Sequence, residues 1–144
     1  MAVFDFSRRG HSPPNGFDLG DMRIEGGGGV ATSVGHTPDQ GMMIYVAMTE
    51  LLDGLRRLLT TPRREFEFIG TDSSFRLLFR RVKIDRVDVT YRGIAIEQES
   101  LRHVARAALD GAVHLVSSAP LPPSDSVAGD ISAAIAELRA CLHE

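Results

Sequence analysis

The chain contains one cysteine, Cys141, and therefore cannot close an internal disulfide, which is the usage expected of a protein kept in a reducing, cytoplasmic setting. Cys141 falls on the apolar stripe of a predicted helix, so a buried, inert thiol is expected there rather than a nucleophile. No apolar run approaches the roughly 18 residues of a membrane span, and no basic stretch followed by an apolar core marks an export signal. No membrane partner is expected. Lysine is nearly absent: Lys83 stands alone against fifteen arginines, which together with abundant Ala and Gly points to a GC-rich bacterial genome.

Catalytic and cofactor motifs are missing too. His11, His36, His103, His114 and His143 are dispersed, with no pair at metal-ligand spacing and no companion cysteines, so neither a metal nor a cofactor is expected. Gly26-Gly27-Gly28-Gly29 lacks the Gly-Lys-Ser/Thr ending of a phosphate loop and is followed by an extended segment, Val30 to Val34; it reads as a mobile hairpin tip. Asp72-Ser73-Ser74 offers a hydroxyl beside a carboxylate, but these residue types commonly stabilise turns, and the turn reading is preferred.

What is present is a strong strand pattern. Phe66 and Phe68 alternate with Glu65 and Glu67, and Phe75, Leu77 and Phe79 alternate with Arg76, Leu78 and Arg80. With residues 71–74 as a four-residue loop, Gly70 lies opposite Phe75, Phe68 opposite Leu77, Phe66 opposite Phe79 and Glu65 opposite Arg80. A connection at Lys83 to Asp85 then sets Val87 beside Arg81, Asp88 beside Arg80, Val89 beside Phe79 and Tyr91 beside Leu77. A two-residue turn at Arg92-Gly93 returns Ile94 to Tyr91 and Ile96 to Val89. Four strands form a meander, with Glu65, Arg80, Asp88 and Glu97 in one outer row.

Before it, Val3–Ser7, Asp21–Glu25, Val30–Val34 and Met42–Ala47 read as strands. A helix of about ten residues is expected from an N-cap at Thr49 to a stop at Pro62, with Leu51, Leu52, Leu55, Leu58 and Leu59 buried. After the meander, a helix near Gln98 carries Leu101, Val104, Ala105, Ala108 and Leu109, and Gly111 is a natural stop. Residues 112–117 are open between strand and helix. A last helix, capped by Ser124, Asp125 or Ser126, buries Val127, Ile131, Ala134, Ile135, Leu138, Cys141 and Leu142. The whole predicts one α+β domain over residues 1–144: a largely antiparallel, twisted sheet of six to eight strands, with about three helices covering one face.

Charge is unevenly distributed. Residues 1–53 carry 3 basic and 7 acidic side chains, 54–92 carry 10 and 5, and 93–144 carry 3 and 7, which leaves a centre of +5 between flanks of −4. The acidic flanks are expected to fold back over that centre. On the outer face of the meander the register sets Arg76 against Arg92, near Asp72, with no acid across from either; Leu78 is apolar on the same face and Arg80 lies between two acids. Paired guanidiniums suit a carboxylate or phosphate. These five, Arg76, Arg92, Leu78, Asp72 and Arg80, are the candidate binding residues.

The run Phe66-Glu67-Phe68-Ile69-Gly70-Thr71-Asp72-Ser73-Ser74-Phe75, preceded by Met43 to Leu59, resembles small uncharacterised actinobacterial proteins that are similar in build to immunity proteins of bacterial toxin systems. The resemblance spans residues 20 to 110, is one of shape, and has no functional residue to carry over; a binding role is expected instead from the polar but patterned outer face, the mobile loop tips and the absent catalytic motifs. The leading expectation is a cytoplasmic module that occludes a protein partner with its outer sheet face and loops. The alternative is a nucleic-acid-binding protein using the Arg-rich segment 54–92. A third reading is an enzyme without a recognisable motif, pairing His114 or His36 with Asp72, and a binding role is favoured over it. An uncovered edge strand or Leu78 also offers a surface to a second copy.

Overall fold

In a computed structural model, which describes residues 1–143, the elements run β1 (Val3–Arg8), β2 (Leu19–Gly26), β3 (Gly29–Thr32), β4 (Met42–Met43), α1 (Ile44–Thr60), β5 (Glu65–Ile69), β6 (Arg76–Lys83), β7 (Arg86–Tyr91), β8 (Ile94–Ser100), α2 (Leu101–Ser118) and α3 (Ser126–Cys141). The fold is α+β, and every strand pair is antiparallel. The strands form two four-stranded sheets, not one. The first has the order β1-β2-β3 with β4 also on β2, and the second is the meander β5-β6-β7-β8.

The division arises at β4. Met42 to Ala47 does not continue as a strand: two residues pair with β2, and the chain then turns into helix at Ile44. A short apolar run suits a buried helix as well as a strand, and tertiary hydrogen bonds decide it here. Asp18 O accepts from Ile44 N at 3.1 Å and Thr71 O from Met43 N at 3.1 Å, so α1 starts without a side-chain cap. Thr49 is inside the helix, donating its hydroxyl to Tyr45 O at 2.9 Å, and α1 has 17 residues instead of about ten. The three helices pack against one another and together contact both sheets. α1 packs on β5 and α3, and α2 packs on β1.

The meander follows the alternation closely. Glu65 pairs with Arg80, Phe66 with Phe79 and Phe68 with Leu77, while Phe79 pairs with Val89 and Arg80 with Asp88. Gly70 N donates to Phe75 O at 2.9 Å across the four-residue loop, and the Phe66 and Phe79 rings stack at 5.7 Å. Arg92 and Gly93 both have positive φ, 51° and 79°, as a tight primed hairpin turn requires. The expected pairing of Ile96 with Val89 is corrected by a β-bulge: Thr90 pairs with Ala95, but Val89 pairs with Glu97 and Asp88 with Gln98. Ile96 is the extra residue. Glu97 consequently leaves the outer row for the inner face, where it is 8% exposed.

α2 runs through Gly111 to Ser118, so residues 112–117 are helical. A Cβ at Gly111 would lie 2.4 Å from Phe4 O, so the glycine marks a close crossing of α2 over β1 rather than a helix end. Ser100 caps α2 and Asp125 caps α3. Cys141 is half-buried rather than buried. The four glycines also differ from expectation, because the hairpin tip rests on β8 and is not free. Gly28 N donates to Ile96 O at 2.9 Å, and a Cβ at Gly26 would meet Ile96 O at 2.1 Å. Only glycine lets these backbones approach so closely.

That contact predicts a contrast between adjacent positions. Gly26→Ala should destabilise the fold by about 1–3 kcal/mol through the forced separation of the hairpin and β8. Gly27→Ala, whose Cβ would meet nothing nearer than 3.8 Å, should shift the urea midpoint little. A free tip would make the two variants alike.

Candidate functional site

The outward side chains of the second sheet come from alternate positions of four strands, and pairing fixes their neighbours. Ile69 faces Arg76, Glu67 faces Leu78, Leu78 faces Thr90, and Thr90 faces Ala95; the next row is Glu65, Arg80, Asp88 and Gln98. The inward positions Phe68, Leu77, Phe79, Val87 and Val89 are buried. Ile69 is 40% exposed and Leu78 half-buried between exposed Arg76 and Arg80. Arg80 Nε lies 3.7 Å from Glu65 Oε2, and the Gln98 amide donates to Asp88 Oδ1 at 2.6 Å. The expected outer row therefore ends in Gln98, not Glu97.

The other candidates sit in the connections. The β6–β7 ladder ends at the pair Leu78–Thr90, and Arg92 turns away into its hairpin. Arg92 Nη2 donates to His36 Nδ1 at 3.2 Å, with its guanidinium carbon 5.4 Å from the Tyr91 ring centroid. His36 Nε2 lies 2.7 Å from Thr32 O, which identifies the neutral ring as protonated on Nε2. Arg92 is thus held by His36 and Tyr91, while Arg76 has no carboxylate within 4 Å among the described residues. Asp72 is exposed at φ 60°. Beside it, Ser73 donates to Gln40 O at 2.7 Å and accepts from Phe75 N at 3.1 Å, a turn-forming role. None of the principal concavities is lined by Asp72 with either His36 or His114.

No family model, curated protein or solved structure matches this chain. Among the described residues, no three His, Cys, Asp or Glu side chains are grouped so as to hold a metal ion, and no helix is long and apolar enough to cross a membrane.

The central positive charge gathers at one corner of the second sheet. Two adjoining concavities of about 660 and 430 Å³ share Arg64 and Arg81 as walls; Arg63, Glu65 and Arg80 complete the first, and Pro62, Val82, Lys83 and Ile84 the second. The acidic flanks do not fold back over this corner as expected. They reach the central segment at Arg56, whose Nε is 3.4 Å from Glu137 Oε2, whereas Arg57, Arg63, Arg64 and Lys83 have no carboxylate within 4 Å among the described residues. Instead, Glu50, Asp53, Asp130 and Glu137 line a separate groove between α1 and α3.

A second ionic cluster, which spacing alone does not reveal, joins the end of β1 to the 33–41 loop. Arg9 Nε and Nη2 reach Asp21 at 2.8 and 2.9 Å, and its Nη1 and Nη2 reach Asp39 at 2.6 and 2.8 Å. Ser33 donates to Asp21 Oδ1 at 2.7 Å. The Arg9 guanidinium holds both carboxyls below the usual carboxylate range, against partial burial in the case of Asp21. Depressed carboxyl pKa values stabilise the fold above the unfolded value near 3.9, and this contribution is lost as pH falls through the folded values. Unfolding free energy should therefore decline below about pH 4, with a shallower decline in Arg9→Gln; equal slopes in urea titrations would contradict the clamp.

Proposed function

We propose that this protein is a protein-binding module, immunity-like in build and acting in the cytoplasm, that occludes a partner with the outer face of its second sheet. The observation that carries this reading is an uncovered four-stranded face on which Leu78 and Ala95 share one cross-strand row with Thr90 between them and Ile69 lies diagonally beside Leu78, among Arg76, Arg80, Glu65 and Glu67. A small apolar centre with a charged rim is the usual anatomy of a non-obligate interface. Arg76 gives the rim a cation without a carboxylate partner and therefore suits a carboxylate on the partner. Leu78 supplies apolar contact, Arg80 beside it is already paired with Glu65, Arg92 is held by His36 at the β7–β8 turn, and Asp72 stands at the β5–β6 loop. A binding role also fits side chains whose hydrogen bonds serve turns and strand ends.

The test is affinity purification of the tagged protein from its own cells after nuclease treatment, with mass spectrometry of what remains. The expected result is a protein present in stoichiometric amount whose affinity falls at least tenfold in Arg76→Ala combined with Leu78→Ala, while the melting temperature changes by a few degrees at most. Unchanged affinity for that protein in the double variant would remove the sheet face from the interface.

A further inference from the structure

We infer that the basic corner formed by the 61–64 segment and the β6–β7 hairpin is a binding trough for the phosphodiester backbone of single-stranded nucleic acid. This site adjoins the sheet face proposed above, sharing Arg80 and Glu65 at its edge, and is centred on other residues. Its centre is Arg81, and the way Arg81 is held makes the trough a built feature rather than a chance cluster of flexible side chains. Arg81 Nε donates to Arg63 O at 3.2 Å, Nη1 donates to Ile84 O, and Nη2 donates to Leu58 O at the end of α1. Its backbone N–H donates to Arg64 O at 2.7 Å. One guanidinium therefore fixes α1, the following segment and the hairpin together, and all three of its acceptors are neutral carbonyls. Its full charge stays in the trough, and two of its five N–H groups are left without a protein acceptor among the described residues.

Around this fixed cation stand Arg63, Arg64 and Lys83, all exposed and with no carboxylate within 4 Å among the described residues, and Arg80, which is shared with Glu65. Like charges brought together repel, and the repulsion is relieved by an anion of high and repeating charge. The shape favours a chain of phosphates over other polyanions. The two concavities adjoin through shared walls and form one continuous open trough along which successive phosphates can lie. Its apolar residues, Pro62, Val82 and Ile84, line only the second concavity, and the first is lined by charged side chains alone. Four of the five cations are guanidiniums, whose forks match phosphate oxygens. No aromatic ring lines the trough, so binding should follow the backbone with little preference for base. A single strand is flexible enough to lay successive phosphates along the two adjoining concavities, which favours it over a stiff duplex.

Fluorescence anisotropy with labelled oligothymidylate and oligouridylate, over a salt series, tests this directly. The expected result is binding to both, with log K falling against log salt at a slope of about −2 to −3 for three or four neutralised phosphates. The variant Arg63→Ala, Arg64→Ala, Lys83→Ala leaves Arg81 and its carbonyl contacts in place; it should bind at least tenfold more weakly and with a slope nearer zero. Arg76→Ala with Leu78→Ala should bind the oligonucleotides as the unaltered protein does, which separates this site from the sheet face. Amide shifts on adding oligothymidylate should concentrate at residues 61–65 and 80–86, independently of any variant. Absence of binding at low salt, undiminished binding by the triple variant, or shifts lying elsewhere would overturn the inference. So would equal binding of polyglutamate or of anionic vesicles, which would assign the trough to an acidic protein or a lipid surface.

Discussion

Burial of α1 is the constraint on which the remaining architecture depends. Ile44, Tyr45, Ala47, Met48, Leu51, Leu52, Leu55 and Leu58 are fully shielded from solvent, an apolar stripe too broad to be covered by one neighbour. It is covered by β1, β2 and β4 of the first sheet, by β5 of the second, and by α2 and α3. Each large side chain fully buried in this way contributes about 1.5–3 kcal/mol relative to exposure, so the helix provides the shared core that two separate sheets need. Polar contacts fix its ends. Asp18 O and Thr71 O accept the first backbone donors, Tyr45 Oη donates to Ala119 O at 2.6 Å, and Arg81 engages Leu58 O near the C-terminal end.

The placement of α1 links the core to the surfaces. Because both sheets turn their apolar sides toward the helical layer, the outer face of the meander is left with alternating charged and apolar side chains and no covering element. At the end of the helix, the orphan carbonyl of Leu58 lies where a cation is favoured by the helix dipole as well as by hydrogen bonding. Arg81 fills that place from β6. Its role in the fold and its charge in the trough are one arrangement: the carbonyls hold the guanidinium still without neutralising it. The acidic side chains of α1 and α3 lie along a different groove, so a chain of net charge −3 still presents a strongly positive corner.

The meander was legible because two signals agreed. Phe66, Phe68, Leu77, Phe79, Val87 and Val89 alternate with polar residues, and loops of defined length left a single register that turned all of them inward, Phe66 partly and the others fully buried. The bulge at Ile96 was not legible, since a strict alternation through Ile94 and Ile96 puts Glu97 outside. It becomes intelligible once Glu97 is seen on the inner side: burial pushes its carboxyl up, but the Met1 amino group at 3.0 Å and the N–H groups of Gln98 and Gly27 bring it below its ordinary value. Glycine misled twice for one physical reason. At Gly26–Gly29 and at Gly111, the absent side chain serves a close approach between segments far apart in sequence, which local propensity cannot report. The start of α1 at Ile44 was hidden likewise, because its first donors are satisfied by Asp18 and Thr71. Of the candidate site, the outward positions of Arg76, Leu78 and Arg80 followed from the register, whereas the attachment of Arg92 to His36 and the gathering of Arg63, Arg64 and Lys83 around Arg81 required the tertiary fold.

Native-state hydrogen exchange, resolved by residue, tests most directly whether α1 unites the two sheets. If it does, the slowest amides of α1, β2, β6 and β7 will share one opening free energy equal to that of global unfolding, and their exchange will respond together to denaturant. Two well-separated opening free energies, one for each sheet with α1 following only one of them, would contradict the account.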